Sequence, residues 1–214
     1  MPLTLKTKRT RPAQTKLPAH MTEDQFVSWI MAQEFIRAEW IDGEVQYMSP
    51  VSFNHVDINS FVTGLLKIYC EENDLGVVVG PEFMIRLVGK SKRRRVPDTL
   101  FVAKNRVELI QKNHLEGPPD LIVEIVSPDD PARDYRAKFI DYQAGGVREY
   151  WIIDPLVRKF EAHILGGDGK YKPLPETEGR INSKVAKGFF LKRDWLFQLK
   201  LPTMMSVLGE LGVR

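Results

Sequence analysis

The stretch "PPDLIVEIVSPDD" places a carboxylate at the centre of an otherwise apolar strand. Residues 121–126 predict a fully buried strand, which Glu124 interrupts. A carboxylate in a low-dielectric core is costly unless a cation meets it. We therefore expect the chain to supply Glu124 with a basic side chain or a metal ion.

A second carboxylate occurs in the strand pattern "VPDTLFVA". Alternation puts Asp98, Leu100 and Val102 on one face of that strand. If this strand pairs with the one that carries Glu124, the two carboxylates face the same point and repel each other. A divalent cation between them removes that repulsion, and hard oxygen ligands suit Mg²⁺.

The segment "SPDDPARDYRAKFIDYQAGG" predicts a helix that begins just past the strand of Glu124 and ends at Gly-Gly. Its residues Asp134, Lys138 and Tyr142 are spaced four apart and share a face. Lys138 can therefore return towards Glu124. Two carboxylates, a metal ion and a lysine are a minimal set for phosphodiester hydrolysis: the metal is a Lewis acid, and the lysine positions water or stabilises charge on the phosphate.

Each of these residues also has a structural interpretation. Asp98 follows Pro97 and is typical of a turn before a strand. Glu124 is compatible with a buried arginine partner, and Lys138 with a solvated helix position. The three residues in this order favour the metal site over three independent structural roles.

The remaining pattern predicts an α+β or mixed α/β fold. Thr22 and Gln25 form a capping box before a helix over residues 23–36, and Asp42-Gly43 marks a hairpin turn. A second helix follows with an apolar stripe. The strands "GVVVGPEFMIRLV" and "RVPDTLFVA" are expected to be joined by the loop "GKSKRRR", and one helix crosses from "DLIVEIV" to "EYWIIDP". A last hairpin comprises "RKFEAHIL" and "KYKPL".

Charge and composition divide the chain into a basic tail over residues 1–20, expected to be disordered, and a single domain over residues 21–214. The tail contains five basic residues and no acid, so the rest is net negative although the whole chain is +3. Overall charge is thus a weak argument for nucleic-acid binding.

The single Cys70 excludes an internal disulfide, and with no signal peptide or membrane span visible we expect a cytoplasmic protein. No motif for an organic cofactor is present.

Four motifs occur in the order found in a known family. "EWIDGEVQYMSP", "VPD", "PPDLIVEIVSP" and "DYRAKFIDYQAGGVREYWIIDP" resemble the putative restriction endonuclease family of the PD-(D/E)xK nuclease superfamily, over about residues 37–165. The resemblance implies a restriction-endonuclease-like core, with a central mixed β-sheet flanked by helices. It also implies a metal-dependent endonuclease that acts on DNA.

The same resemblance implies roles for individual residues. Asp98 and Glu124 bind Mg²⁺, with Mn²⁺ as an alternative, and the backbone carbonyl of Ile125 is a further ligand. The superfamily lysine lies two residues after the Glu, where this chain has Val126, so Lys138 is its candidate replacement. The supporting residues implied by the resemblance or by helical spacing are Glu39, His55, Asp134 and Tyr142. For His55, a capping or structural role is equally compatible.

The run "GKSKRRRVPD" places basic residues directly before Asp98. A basic loop beside a metal site attracts a phosphate backbone, so we expect these residues to bind nucleic acid. A solvated hairpin tip is the alternative. The candidate nucleic-acid-binding residues are Lys92, Arg93, Arg94 and Arg95.

Two functional hypotheses remain open on the sequence. One is a Mg²⁺-dependent endodeoxyribonuclease. The other is a catalytically inactive binding or interaction module that keeps a nuclease fold, which the missing E-x-K spacing favours. Because nucleases that cut both strands often pair, a homodimer is also expected. Its presence would not distinguish between the two hypotheses.

Overall fold

The computed structural model describes residues 17–89, 92–128 and 133–213, and for residues 133 and 134 it describes the backbone only. Most of the predicted basic tail and the side chain of Asp134 lie outside these residues. Among the described residues, Ala19 already belongs to the fold, because its carbonyl accepts a hydrogen bond from the Val45 amide.

Thirteen strands occur in the part of the chain that is described. In order they are β1 (Ala38–Ile41), β2 (Glu44–Tyr47), β3 (Gly76–Val79), β4 (Met84–Val88), β5 (Lys92–Arg95), β6 (Thr99–Ala103), β7 (His114–Glu116), β8 (Leu121–Ile125), β9 (Glu149–Asp154), β10 (Lys159–Leu165), β11 (Tyr171–Pro173), β12 (Arg180–Asn182) and β13 (Phe190–Lys192). The larger sheet has the order β11-β10-β9-β8-β6-β3, and a second sheet has the order β2-β1-β5-β4-β7. Strands β12 and β13 pair separately.

Helices flank these sheets. The α-helices are α1 (Glu23–Ile30), α2 (Phe53–Glu72), α3 (Phe139–Gly145), α4 (Arg193–Leu196) and α5 (Met204–Glu210), with a 3₁₀ turn at Lys104–Leu109 and a π-helical segment at Arg133–Lys138. Strands β8 and β9 are parallel, whereas β6 and β8 are antiparallel, so the larger sheet is mixed. The predicted mixed fold is confirmed. Among the described residues, no helix has the length and apolarity needed to cross a membrane.

Alternation along β8 divides its side chains between two apolar cores. Leu121, Val123 and Ile125 pack with α2 and the carboxy-terminal elements. Ile122 belongs to a second core with Leu100, Val126 and Tyr142. Glu124 shares the parity of Ile122 and Val126, so it projects towards α3.

The first helix is shorter than the sequence predicts. The capping box of Thr22 and Gln25 is present, but α1 ends at Ile30 and not at residue 36. The amides of Ala32 and Gln33 donate to the carbonyls of Trp29 and Ile30, three residues back. These tighter bonds end the α-helix, because they replace the four-residue repeat that would extend it.

The expectation of a basic loop before Asp98 is wrong for residues 92–95. They form β5, which pairs with both β1 and β4. The Arg95 guanidinium is buried and donates to Glu39 Oε2 at 2.6 Å and to Asp141 Oδ2 at 2.5 Å. Buried arginines need carboxylate partners, and here these partners come from distant segments of the chain.

The other two arginines of β5 are also paired. Arg94 donates from Nε to Glu23 Oε1 at 2.9 Å, and Arg93 donates to Asp141 Oδ1 at 3.0 Å. Lys92 is exposed, with its ammonium 3.9 Å from Glu23. Nucleic-acid binding by these four residues stays a prediction, but the three guanidinium groups serve the fold through these ion pairs.

We predict that Arg95→Met destabilises the protein by about 3–5 kcal/mol, because it leaves the buried Glu39 carboxylate without its cation. Urea unfolding followed by circular dichroism measures the change. The matched control is Arg193→Met, which breaks an exposed pair with Glu176 and should cost less than about 1 kcal/mol. Equal, small losses in both variants would show that the β5 ion pair is not a structural anchor.

Candidate active site

Strands β6 and β8 bring the two predicted carboxylates to the same end of the sheet. Their antiparallel register pairs Thr99 with Val123. Asp98 precedes Thr99 and Glu124 follows Val123, so the two acids are opposite each other across the strand pair. The Ile125 amide donates to Asp98 Oδ2 at 2.8 Å, which ties the Asp98 side chain to the strand of Glu124.

The π-helical segment delivers Lys138 to Glu124. The segment ends at Lys138 and continues directly into α3. Lys138 Nζ lies 2.8 Å from Glu124 Oε2, and both side chains are almost completely buried. Insertions of π-helix are frequent at functional sites because they re-aim side chains within a helix. The structure thus brings together the three residues that the sequence predicts as catalytic.

Tyr142 holds the other oxygen of Glu124. Its hydroxyl donates to Glu124 Oε1 at 2.6 Å. Burial raises the pKa of Tyr142 well above its usual range, and the negative charges of Glu124 and Glu39 raise it further. Tyr142 therefore stays protonated at neutral pH and remains a hydrogen-bond donor to the carboxylate.

The pKa of Asp98 is lowered in spite of the burial of its carboxyl group. Desolvation acts to raise its pKa, but the His55 hydrogen bond, the charge of Lys138 and the Ile125 amide together lower the pKa below the usual value. The charge of Lys138 acts on Asp98, and the same ammonium forms an ion pair with Glu124. The two carboxylates therefore share one ammonium. These three side chains carry a net negative charge, which favours the binding of a cation.

His55 orients Asp98 from helix α2. The His55 Nε2 lies 3.1 Å from Asp98 Oδ1. A carboxylate oxygen only accepts, so the ring nitrogen at this contact carries the hydrogen. Ser52 caps α2 by accepting from the His55 amide, which fixes the ring at the first turn of the helix. Ser52, and not His55, is thus the helix cap, and the His55 side chain contacts Asp98.

Glu39 lies near the site but is bound to other groups. Arg95 and the Val96 amide each donate to one of its oxygens, at 2.6 and 2.9 Å. Burial acts to raise the pKa of Glu39, and the charges of Arg95 and Lys138 lower it overall. Glu39 thus adds a negative charge close to Lys138, and its predicted supporting role stays a prediction.

Asn59 is a site residue that the sequence analysis missed. Its Nδ2 donates to the Asp98 carbonyl at 3.4 Å, and its Oδ1 accepts from Thr99 Oγ1 at 2.9 Å. His55, Asn59 and Thr63 are spaced four apart, so they share one face of α2. That polar spacing, beside the apolar stripe of the same helix, was the available signal.

The donor set suits a hard divalent cation. The carboxylates of Asp98 and Glu124 offer oxygen atoms alone, and Mg²⁺ usually completes its octahedron with water and substrate oxygens. Within the described segments, no group of three or more His, Cys, Asp and Glu side chains is arranged to hold a metal. Mg²⁺ usually keeps several water ligands and takes only one or two carboxylates from a protein, which is what Asp98 and Glu124 offer.

Comparison with known proteins agrees with this fold. A comparison with curated proteins found no match. Among solved structures, the chain is similar to a "putative nuclease belonging to DUF820" from Anabaena variabilis, with a TM-score of 0.68 and 16% identity, over 83% of this chain and 97% of that one. A family model described as "Uma2: Putative restriction endonuclease" matches residues 23–191 and supports a nuclease. The chain belongs to this Uma2 family.

Proposed function

We propose that the protein is a Mg²⁺-dependent endonuclease that hydrolyses phosphodiester bonds in DNA, with Mn²⁺ as an alternative ion. The observation that carries this proposal is that Asp98 and Glu124 meet at one end of the β6–β8 pair and share Lys138. Family membership supports the nuclease class. The ion and the DNA substrate belong to the proposal.

The roles of the side chains follow from their contacts. A bound Mg²⁺ would supply Lewis-acid activation at Asp98, Glu124 and the Ile125 carbonyl. Lys138 presents an ammonium that stabilises negative charge as it develops on the phosphate. Tyr142 fixes the orientation of Glu124, and His55 with the Ile125 amide fixes that of Asp98. Fixed orientation matters because small displacements of catalytic groups slow a reaction strongly.

A specific observation favours the second candidate, an inactive nucleic-acid-binding or interaction module. Val126 occupies the usual lysine position and is buried in an apolar core. Each oxygen of Asp98 and Glu124 also lies within hydrogen-bonding distance of a protein donor, so the carboxylates are stabilised in part without an ion. A homodimer remains a prediction under both functions.

We predict that Asp98→Asn and Glu124→Gln each abolish plasmid nicking in Mg²⁺ and weaken Mn²⁺ binding more than tenfold, because each replaces an anionic oxygen ligand by a neutral one. Calorimetry measures the binding, and gel electrophoresis measures the nicking. The matched control is Asp168→Asn, an exposed hairpin residue whose carboxylate should influence neither.

Undiminished nicking by either site variant would reject the proposed metal centre. Absence of both Mn²⁺ binding and nicking in the unmodified protein, with DNA still retained on a filter, would support the inactive module.

We predict that Lys138→Met lowers kcat by about 10²–10³-fold, the usual cost of removing one group that stabilises transition-state charge. Mn²⁺ affinity should stay the same or increase, since the methionine removes a positive charge beside both carboxylates. Single-turnover cleavage and calorimetry measure the two effects. Lys67→Met, on the exposed face of α2, is the control and should change neither. An unchanged kcat in Lys138→Met would contradict the role given to the ammonium.

A further inference from the structure

A pocket of about 460 Å³ opens beside Asp98. Its wall is one face of α2, on which Val56, Ser60 and Gly64 follow one another at helical spacing. His55 and Asp98 form the end of the pocket nearest the carboxylates. This volume is within the range of about 300–1,000 Å³ that is typical of pockets for small ligands.

The lining of the pocket combines apolar surface with hydrogen-bonding groups. Val51, Val56 and Pro81 supply the apolar surface, and Ser60 supplies a hydroxyl. Arg37 lies at the side of the pocket with its Nε 3.7 Å from Glu82 Oε1. Proteins bind an unstacked nucleobase through such groups: apolar side chains stack on the faces of the base, and polar groups form hydrogen bonds with its edge.

An exposed aromatic side chain continues the same face of α2. Phe53 is 83% exposed and lies one turn before Val56, which is itself exposed and lines the pocket. A second phenylalanine, Phe35, is 93% exposed and lines a neighbouring pocket that also includes Arg37 and Glu82. Exposed aromatic rings beside a nucleic-acid site are stacking platforms for unpaired bases.

Access to the candidate active site is narrow. Asp98 is 7% exposed, and Glu124 and Lys138 are more deeply buried. The arginines of β5 are bound to carboxylates in the fold, which partly neutralises the charge that they present to a phosphate backbone. A single nucleotide that has left a base stack reaches such a site more readily than one held in a regular duplex, which must first unpair.

From these observations we infer that the pocket binds one unstacked nucleoside next to the scissile phosphate, so that the substrate is single-stranded or locally unpaired DNA. The inference rests on the proposed nuclease function and names its substrate class. Ser60 lies on the wall of the pocket. Phe53 lies at the entrance of the pocket and stacks on the bound base.

The test is the binding of fluorescein-labelled oligonucleotides, followed by anisotropy in the absence of metal so that no cleavage occurs. A 20-mer is compared as a single strand, as a full duplex and as a duplex with one unpaired nucleotide. We expect the single strand and the unpaired site to bind at least tenfold more tightly than the duplex. Ser60→Trp, which fills the pocket from an exposed helix position, should remove that preference, and Phe53→Ala should weaken single-strand binding by about tenfold.

Two matched controls separate the pocket from general surface effects. Ser28→Trp adds the same side chain to an exposed position on α1, and Leu199→Ala removes an exposed apolar side chain outside the pocket. Neither should change the preference. Equal affinity for single strand and duplex in the unmodified protein would overturn the inference, as would an unchanged preference in Ser60→Trp.

Failure of the pocket inference and failure of the nuclease proposal give different results. Cleavage that depends on Asp98, without any effect of Ser60→Trp on binding, rejects the pocket and keeps the nuclease. A single-strand preference that depends on Ser60, without cleavage in Mg²⁺, keeps the pocket and rejects the nuclease.

Discussion

The buried ion pair between Lys138 and Glu124 is the interaction on which the candidate site depends. An ionised carboxylate inside an apolar sheet is costly unless a cation or hydrogen-bond donors compensate its charge. The Lys138 ammonium lies beside Glu124 because the π-helical segment and α3 form the crossover from β8 to β9 and fold back over β8. Its charge also acts on Asp98, so one lysine couples two strands and a helix into a single electrostatic unit. Removing Lys138 would leave both buried carboxylates without the ammonium that they share.

Alternation and helical spacing were enough to predict much of this arrangement. Alternation placed Asp98 on the face of Leu100 and Val102, and the four-residue spacing of Lys138 and Tyr142 placed both on one face of the helix after β8. Both side chains contact Glu124. These patterns succeed because they depend on local backbone geometry, which the residues themselves set. The hairpin at Asp42-Gly43 is predictable for the same reason, since both residues have the positive φ that its turn requires.

The charge run before Asp98 could not be interpreted from the sequence, because its partners are distant in the chain. Arg95 binds Glu39 and Asp141, which are 56 and 46 residues away. Nothing local distinguishes such a run from a solvated loop. The contacts of His55 and Asn59 could be predicted only in part. Their spacing places them on a common face of α2, but only the tertiary structure shows that this face contacts Asp98.

Helix α2 connects stability to the candidate site. Its apolar face packs on the larger sheet through Phe61 and Leu65, while its polar face carries His55 and the wall of the pocket. The same rigid element therefore fixes Asp98 and borders the space from which a substrate reaches it. Sites built on regular elements are held more accurately than sites built on loops.

Anomalous diffraction from crystals soaked in Mn²⁺ tests the central claim most directly. The account predicts a peak in the anomalous difference density within coordination distance of carboxylate oxygens from both Asp98 and Glu124. An ordered site without any peak at saturating Mn²⁺, or a peak that contacts neither carboxylate, would contradict it.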